Sequence, residues 1–282
     1  MTHPEPKRET GVYLHGTSAA EQARLGIMNR ILNEGSLREM AFRGGERILD
    51  LGSGLGDLTR AMRASAGPGA SALGIERSEE QLRAARRLAA DAREGAAVEF
   101  RPGDATAPPL RDEEWGAFDV AHTRFLLEHV PDPLAVVRPM VRAVRPGGRV
   151  ILQDEDHSIF RLSPPLPSLE AVWEAYYRTY ERVGNDPYVG RRLVTLLHEA
   201  GAVPRRCTWI FFGGCAGMEI FPLLLVNLRV ILEEARGAIL AGGAVDAAAF
   251  ERAMEEYDAW GKRPDAAWWF ALAYAEGIRP GA

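Results

Sequence analysis

Cysteine is scarce in this sequence of 282 residues: Cys207 and Cys215 are the only two, with no CxxC pair and no histidines grouped at metal-ligand spacing. A disulfide framework or a zinc site needs more than that. Both cysteines are therefore expected to be small apolar side chains in the interior. Lysine occurs only as Lys7 and Lys262, so arginine carries nearly all of the 34 basic charges. Against 39 acidic residues these leave a net charge of −5, with no basic footprint for nucleic acid or anionic lipid. Long apolar runs are missing too: Phe221 to Val226 and the longer Ala266 to Ala275 both fall far short of the roughly 20 residues of a membrane helix. The opening MTHPEPKRET has no apolar stretch of the secretory kind. No Gly-Lys-Ser/Thr is present, which removes the nucleoside-triphosphate loop. These absences point to a cytoplasmic protein without nucleic-acid or membrane partners.

What is present is ordinary globular material, 46% hydrophobic and 26% charged, enough for a core and too apolar for disorder. From Thr17 to about Glu39, Leu25, Met28, Ile31 and Leu32 keep helical spacing, with Ser18 and Glu21 as a capping box. Then short apolar runs alternate with amphipathic helices. Strands are expected at Arg47–Leu51, Ala70–Ile75, Val98–Arg101, Phe118–His122 and Arg149–Gln153, and helices at Asp57–Ala64, Glu79–Glu94 and Pro133–Val144. Such alternation builds βαβ units, hence a doubly wound α/β fold on a mostly parallel sheet. Beyond Asp156 helices take over at Leu169–Val183, Arg191–Ala200, Met218–Leu240 and Ala247–Trp260, with strand-like Arg206–Phe212 and Ala267–Tyr274.

The most informative stretch is Leu49-Asp-Leu-Gly-Ser-Gly-Leu-Gly-Asp57, a strand running into Gly-x-Gly-x-Gly where a helix begins. Glycines let the backbone take positive φ and pass close to a ligand, and doubly wound sheets bind nucleotides at this strand end. Glu76 ends the second strand about 20 residues after Gly56, the spacing of a carboxylate that accepts from ribose hydroxyls. Asp104, in Gly103-Asp104-Ala105, follows the third strand where a carboxylate can meet an exocyclic amine. The glycine spacing lacks the extra residue of the dinucleotide fingerprint. Asp50, Asp57, Glu76 and Asp104 also make the crevice acidic, suited to a cationic ligand and hostile to a pyrophosphate.

Taken in order, Ile48–Gly56, Glu76, Gly103-Asp104-Ala105, Phe118-Asp119-Val120 and Arg145-Pro-Gly-Gly148 resemble the motifs of the class I S-adenosylmethionine-dependent methyltransferases. The closer resemblance is to the small-molecule branch related to quinone-biosynthesis enzymes, over roughly residues 13 to 156. It implies a seven-stranded, mostly parallel sheet with an inserted helical cap, and Trp268 to Ala275 as its last antiparallel strand. The implied division is 1–45 as an N-terminal lid region, 46–157 as the cofactor-binding core, and 158–282 as cap plus final strands. The implied cofactor is S-adenosylmethionine, leaving S-adenosylhomocysteine. Asp50, Gly52, Ser53, Gly54 and Gly56 would border its methionyl part, Glu76 the ribose, and Asp104 and Ala105 the adenine, with Arg77 and Gln81 nearby. Arg124, in His122-Thr-Arg124, would pair with its carboxylate. Tyr13 and Arg24 belong either to a lid over the cofactor or to a helix packed on the sheet.

Methyl transfer from a sulfonium is an in-line displacement that needs orientation, and a base when the nucleophile carries a proton. The fifth strand ends Gln153-Asp-Glu-Asp-His157, and alternation sets Asp154 and Asp156 on one side and Glu155 on the other. Asp154, His157 and, in Leu126-Leu-Glu-His-Val130, His129 are the candidate catalytic groups. A solvated charge cluster and a positional role are the respective alternatives. Trp173, Tyr176, Tyr177 and Tyr180 form one aromatic helix stripe, either core or the roof over an aromatic acceptor, with Phe211, Phe212, Met218 and Phe221 as a further wall. Asp156, Tyr177, Asn185 and Arg191 are candidate substrate contacts. The expected reaction is methylation of an oxygen or nitrogen on a small, cyclic or aromatic metabolite. A cofactor-retaining cyclase or a non-catalytic binding relative is the alternative. No metal is expected, and Met218–Leu240 either caps the pocket or joins a homodimer.

Overall fold

The computed structural model describes residues 32–281. Helical residues 32–40 (α1) bury Leu32, Ser36 and Met40. The rest of the expected N-terminal helix, with Tyr13 and Arg24, lies outside the described residues.

Strand β1 (Arg47–Leu51) is buried from its second residue onward, as a central parallel strand covered on both faces must be. It pairs in parallel with β2 (Ser71–Glu76) on one side and β4 (Phe118–Arg124) on the other. β3 (Val98–Pro102) and β5 (Val144–Asp154) continue the parallel sheet outward. The crossovers are α2 (Asp57–Ser65), α3 (Glu79–Asp91) and α4 (Pro133–Ala143). Ser78 caps α3 by accepting Gln81 N–H, and Asp132 caps α4 by accepting Leu134 N–H, with Pro133 in the first turn. Each oxygen satisfies an N–H that has no partner within its helix. The antiparallel β8 (Ala267–Ile278) pairs with β5, with the short β6 (Arg161–Ser163), and along its whole length with β7 (Val203–Cys215). The order is β3-β2-β1-β4-β5-β8, with β6 and β7 flanking β8. The short β6 makes eight strands where seven were expected.

Alternate strand residues feed two apolar layers. On one face Ile48, Val120 and Ile151 meet Leu58 and Met62 of α2 and the cap helices α5 (Pro167–Arg182), α7 (Phe221–Glu234) and α9 (Ala247–Trp260). On the other, Leu49, Leu51, Ala121 and Leu152 meet Val136, Val137 and Met140 of α4 and Leu193, Leu196 and Leu197 of α6 (Leu193–Glu199).

Several expectations shift. The helix expected over Met218–Leu240 breaks at Ala235 into α7 and α8 (Arg236–Ala241), and the one expected from Arg191 opens as a tight turn over Val189–Arg192. Cys207 and Cys215 are exposed free thiols, not interior side chains. They sit on β7, which has a partner on one side only, and the sheet face they share is uncovered there. Phe211 and Met218, at 57% and 48% exposure, likewise build no wall, whereas Phe212 and Phe221 are buried. Among the described residues no helix is long and apolar enough to cross a membrane.

Candidate active site

The parallel strands end on one edge of the sheet, and most of the singled-out residues gather there. Gly52, Gly54 and Gly56 have φ of +75°, +56° and +76°, a region that costs an L side chain roughly 1–2 kcal/mol. Space is also closed: a Cβ on Gly56 would lie 2.3 Å from Phe100 Cζ, and one on Gly52 3.1 Å from Leu126 Cδ2. Gly52 and Ser53 N–H both donate to Ile75 O, at 2.9 and 3.1 Å, fastening the turn to β2. Glu76 completes it. Its Oε2 accepts Gly54 N–H at 2.9 Å and its Oε1 accepts Ser78 N–H at 2.7 Å, so a half-buried carboxylate is held beside the glycine turn. Gln81, in the first turn of α3, brings Oε1 to 3.2 Å from where a Gly54 Cβ would stand. Asp104 is exposed after β3, with Ala105 half-buried next to it and Arg77 exposed nearby. Burial pushes the Asp104 carboxyl up, but the Thr106 hydroxyl and N–H, at 2.7 and 2.8 Å, and the charge of Arg77 hold it below the usual aspartate value.

Asp50 and Arg124 engage the protein itself. One oxygen of the buried Asp50 lies 2.8 Å from His122 Nδ1 and the other accepts the Thr59 hydroxyl, which ties β1 to β4 and α2. Arg124 donates to Asn33 Oδ1 at 2.8 Å and to Ser36 Oγ at 3.4 Å, and the Ser36 hydroxyl donates to Gln153 Oε1 at 2.7 Å. This network fastens α1 across the ends of β4 and β5. Burial pulls the Arg124 guanidinium down to about 10, opposed by Asp50 and Asp57, so it remains a cation at neutral pH. Phe125, the next residue, has φ +54°, a strained conformation of the kind that collects at ligand sites.

Leu126, which lies against Gly52, leads directly into a second group of polar residues. Asp154 clamps this segment: Oδ2 accepts Leu126 and Leu127 N–H at 3.2 and 2.7 Å, and Oδ1 accepts Glu155 N–H at 3.0 Å. With its oxygens so engaged and no exposed surface, Asp154 is a clamp and not the proton acceptor the sequence led us to expect. Burial, reinforced by Glu128, lifts its carboxyl well above the ordinary value. Its neighbours form a cluster of buried titratable groups. His157 Nε2 lies 2.9 Å from Glu128 Oε2 and 3.4 Å from Glu155 Oε2, and Glu128 Oε1 lies 3.4 Å from His129 Nε2. Burial pushes Glu128 up to about 8, with Asp186 adding to it. Burial also pushes Glu155 up to about 8, against the opposing pull of His157. Burial pulls His157 below the ordinary imidazole value, so its ring is neutral at neutral pH.

Three of the four stripe residues wall this histidine: Trp173, Tyr176 and Tyr180 have ring centroids 5.4, 5.8 and 5.1 Å from it. Trp173 Nε1–H also donates to His157 O at 2.8 Å. Tyr177 is half-buried and meets the Tyr188 ring instead. Asp156 and Arg191, both expected to touch substrate, hold each other: Nε and Nη2 of Arg191 donate to the two Asp156 oxygens at 2.6 and 2.8 Å. Such a bidentate pair anchors the Val189–Arg192 turn to the end of β5.

One atom each of Glu128, Glu155 and His157 lie within 4.8 Å of one another, a set that can hold a metal ion. A metal-bound imidazole ordinarily donates its other N–H to a carboxylate or carbonyl, yet His157 Nδ1 has no hydrogen-bond partner among the described residues. With Nε2–H placed toward an oxygen of Glu128, Nδ1 is left with its lone pair unshared. Other buried side-chain atoms without a partner among the described residues include Ser53 Oγ, His122 Nε2, Gln153 Nε2 and both Oδ1 and Nδ2 of Asn185. Apart from Asn185, in the loop after α5, these residues sit at the carboxyl ends of β1, β4 and β5. Unpaired buried polar groups are rare in folded proteins; several of those here lie on this edge, while Arg149 Nη2 and Trp268 Nε1 belong to other parts of β5 and β8. The sequence pointed to His157 and Asn185 but not to Glu128 or Glu155; the acidic residues flanking two histidines were the available signal.

A family model described as a methyltransferase domain matches residues 42–193. The chain belongs to that family. Among curated relatives, the ubiquinone biosynthesis O-methyltransferase of Pseudomonas aeruginosa is 42% identical over 114 residues, 40% of this chain and 46% of the relative. The chain spans about half the length of the curated relatives it matches. Among solved structures, the cyclase SpnF superposes with a TM-score of 0.54 at 18% identity, covering 97% of this chain and 88% of that one. A geranyl diphosphate C-methyltransferase from Streptomyces coelicolor A3(2), in complex with Mg2+, geranyl diphosphate and S-adenosyl-L-homocysteine, superposes at 0.55 and 14% identity, covering 93% and 84%. The fold is that of the class I methyltransferases.

Proposed function

We propose that the chain transfers a methyl group from S-adenosylmethionine to an oxygen or nitrogen of a small, cyclic or aromatic metabolite. The observation that carries this reading is the Glu76 carboxylate, locked by Gly54 and Ser78 N–H beside three glycines of positive φ. The residues fit that cofactor: the glycine turn leaves no room for a Cβ at Gly56 and little at Gly52, Ser53 Oγ is buried without a partner among the described residues, and the nearby acids favour a cation. When bound, S-adenosylmethionine supplies a methyl group already activated by the sulfonium charge.

The chain's own residues supply the rest. Glu76 accepts the ribose hydroxyls, Asp104 and Ala105 border the adenine end, and Arg124 is the cation for the methionyl carboxylate. Tyr13 and Arg24 remain candidates for closing over the cofactor. On the acceptor side His157, neutral and with its Nε2–H accepted by an oxygen of Glu128, which burial keeps protonated at neutral pH, takes the acceptor's proton at Nδ1. His129 shares Glu128 and stacks on Tyr180 at 5.6 Å. The aromatic walls favour a ring-bearing acceptor, and the net charge of −5 argues against a nucleic acid. A rearrangement steered only by the cofactor's charge has no need of the Glu128–His157 pair, which weighs for transfer.

The test is calorimetric titration with S-adenosylhomocysteine on wild type and Glu76→Ala. Losing a charge-assisted hydrogen bond should weaken binding by roughly 1.5–3 kcal/mol, about tenfold or more. No binding to the wild type overturns the reading.

A further inference from the structure

The segment after β4 is held between two fixed parts of the molecule. On one side stands the glycine turn, whose Gly52 and Ser53 N–H groups are both donated to Ile75 O. Leu126 lies close against it: a Cβ on Gly52 would meet Leu126 Cδ2, Cδ1 and Cβ at 3.1, 3.3 and 3.4 Å. On the other side stands the end of β5. Phe125 N–H donates to Gln153 O at 3.2 Å, and Asp154 Oδ2 accepts the next two N–H groups, those of Leu126 and Leu127, at 3.2 and 2.7 Å. The second oxygen of the same carboxyl accepts Glu155 N–H at 3.0 Å.

This path is not one the chain takes unaided. Phe125 turns at φ +54°, a conformation that an L side chain adopts at a cost and that persists only where the surroundings impose it. Asp154 imposes it from a position with no exposed surface, whereas Leu126 is half-buried. Without those acceptors the Leu126 and Leu127 N–H groups are left unsatisfied and the segment turns them toward water. Leu126 then withdraws from Gly52. A gap of roughly 0.5–1 Å already forfeits a quarter to a half of the attraction between two packed atoms.

We propose that Asp154 is a positioning residue for cofactor binding: by holding Leu126 against Gly52, it fixes the wall that Leu126 and the glycine turn together present to the methionyl part of the cofactor. This rests on the methyl-transfer reading, which sets the cofactor at that turn. The effect is directional. Asp154 stands in the chain beside Glu155 and His157, yet its loss is felt at the cofactor, whereas loss of the His157 ring is not.

The experiment is a double-mutant cycle read by calorimetric titration with S-adenosylhomocysteine, with melting temperatures measured alongside. Asp154→Ala removes all the acceptor contacts, and Asp154→Val, which fills more of the vacated space, stands in for it if the alanine variant does not fold. Leu126→Ala removes the approach to Gly52 and keeps the hydrogen bonds of Asp154. Each change is expected to weaken binding about tenfold, and the double variant no more than about twofold beyond Leu126→Ala, because both break one link. A purely structural Asp154 would lower the melting temperature and leave the affinity of the folded protein at its wild-type value; that result overturns the proposal. Fully additive losses overturn it too, since Asp154 would then act by a route other than Leu126. Unchanged affinity in Leu126→Ala has the same force, whatever the Asp154 variants do. A wild type that does not bind S-adenosylhomocysteine would instead sink the methyl-transfer reading, and the proposal with it.

Discussion

The two ends of the strand-edge crevice present their polar groups in opposite ways. Around the glycine turn, the main chain does the holding: Glu76 is fixed by the N–H groups of Gly54 and Ser78, and Asp104 by Thr106. Around His157, the polar partners and neighbours are side chains from separate segments, Glu128, Glu155, Tyr180 and Asn185, and His157 Nδ1 and both side-chain polar atoms of Asn185 have no partner among the described residues. The first end is local and largely satisfied. The second is long-range, deeply buried and unsatisfied. Backbone geometry needs one residue type at one point of the chain, whereas a cluster of side chains from separate segments exists only once the whole fold has formed.

The strongest test of that contrast is to disable one end and watch the other. His157→Gln keeps a polar ring-sized side chain but cannot take the proton. It should lower kcat roughly 10²–10⁴-fold and leave S-adenosylhomocysteine affinity as it was. If calorimetry shows both falling together, the two ends are not separable. Gly56→Ala strikes the rigid end instead. Positive φ and the approach to Phe100, 2.3 Å for a new Cβ, should cost roughly 2–4 kcal/mol in thermal or urea unfolding. A variant as stable as wild type would mean that the turn is softer than its contacts imply.

A smaller effect distinguishes the ends by pH. Burial raises Glu128 and Glu155 to about 8, and Asp154 moves the same way. The folded protein therefore keeps protons that the unfolded chain releases above about 4.5, and stability falls as pH rises toward 8. His157 moves oppositely. Its lowered value means stability is lost as pH drops below the ordinary 6.5. The window from 6.5 to 8 isolates the carboxyls, among neighbours that include Asp156, Asp186, His129, Tyr176 and Tyr180. Across it the wild-type melting temperature should decline and Glu155→Gln should decline less; parallel profiles would show that Glu155 is not the proton holder. Smallest of all is Arg191→Ala. The Arg191 side chain is half-exposed and Asp156 retains the Ser158 N–H and hydroxyl, so unfolding should register about 1 kcal/mol or less.

The same contrast explains what could be read before the structure. The glycine turn, Glu76 and Asp104 were legible because each depends on a residue type required at one point of the main chain. The helix at Ala247–Trp260 was legible because Asp246 caps it and one face is apolar. Strand alternation was carried past Asp154, where β5 ends, and it was silent about the Leu126–Leu127 backbone that occupies Asp154. Glu128 and Glu155 became partners of His157 only through tertiary packing. Nor does local pattern reveal which strand ends up at the rim of a sheet, so Cys207, Cys215 and Phe211 were taken for interior residues.

Trp173 has an optical consequence. Its indole lies 5.4 Å from the His157 ring and is tethered to that residue's carbonyl. An imidazolium quenches indole emission by accepting an electron from the excited ring, and a neutral imidazole does so far less. Trp209 and Trp269 are about half-exposed, so they emit at longer wavelengths and iodide silences them selectively. What remains carries a signal that follows the ionisation of His157 as pH changes or as an acceptor arrives. The protonation state of His157 is thus visible by light in the unlabelled protein.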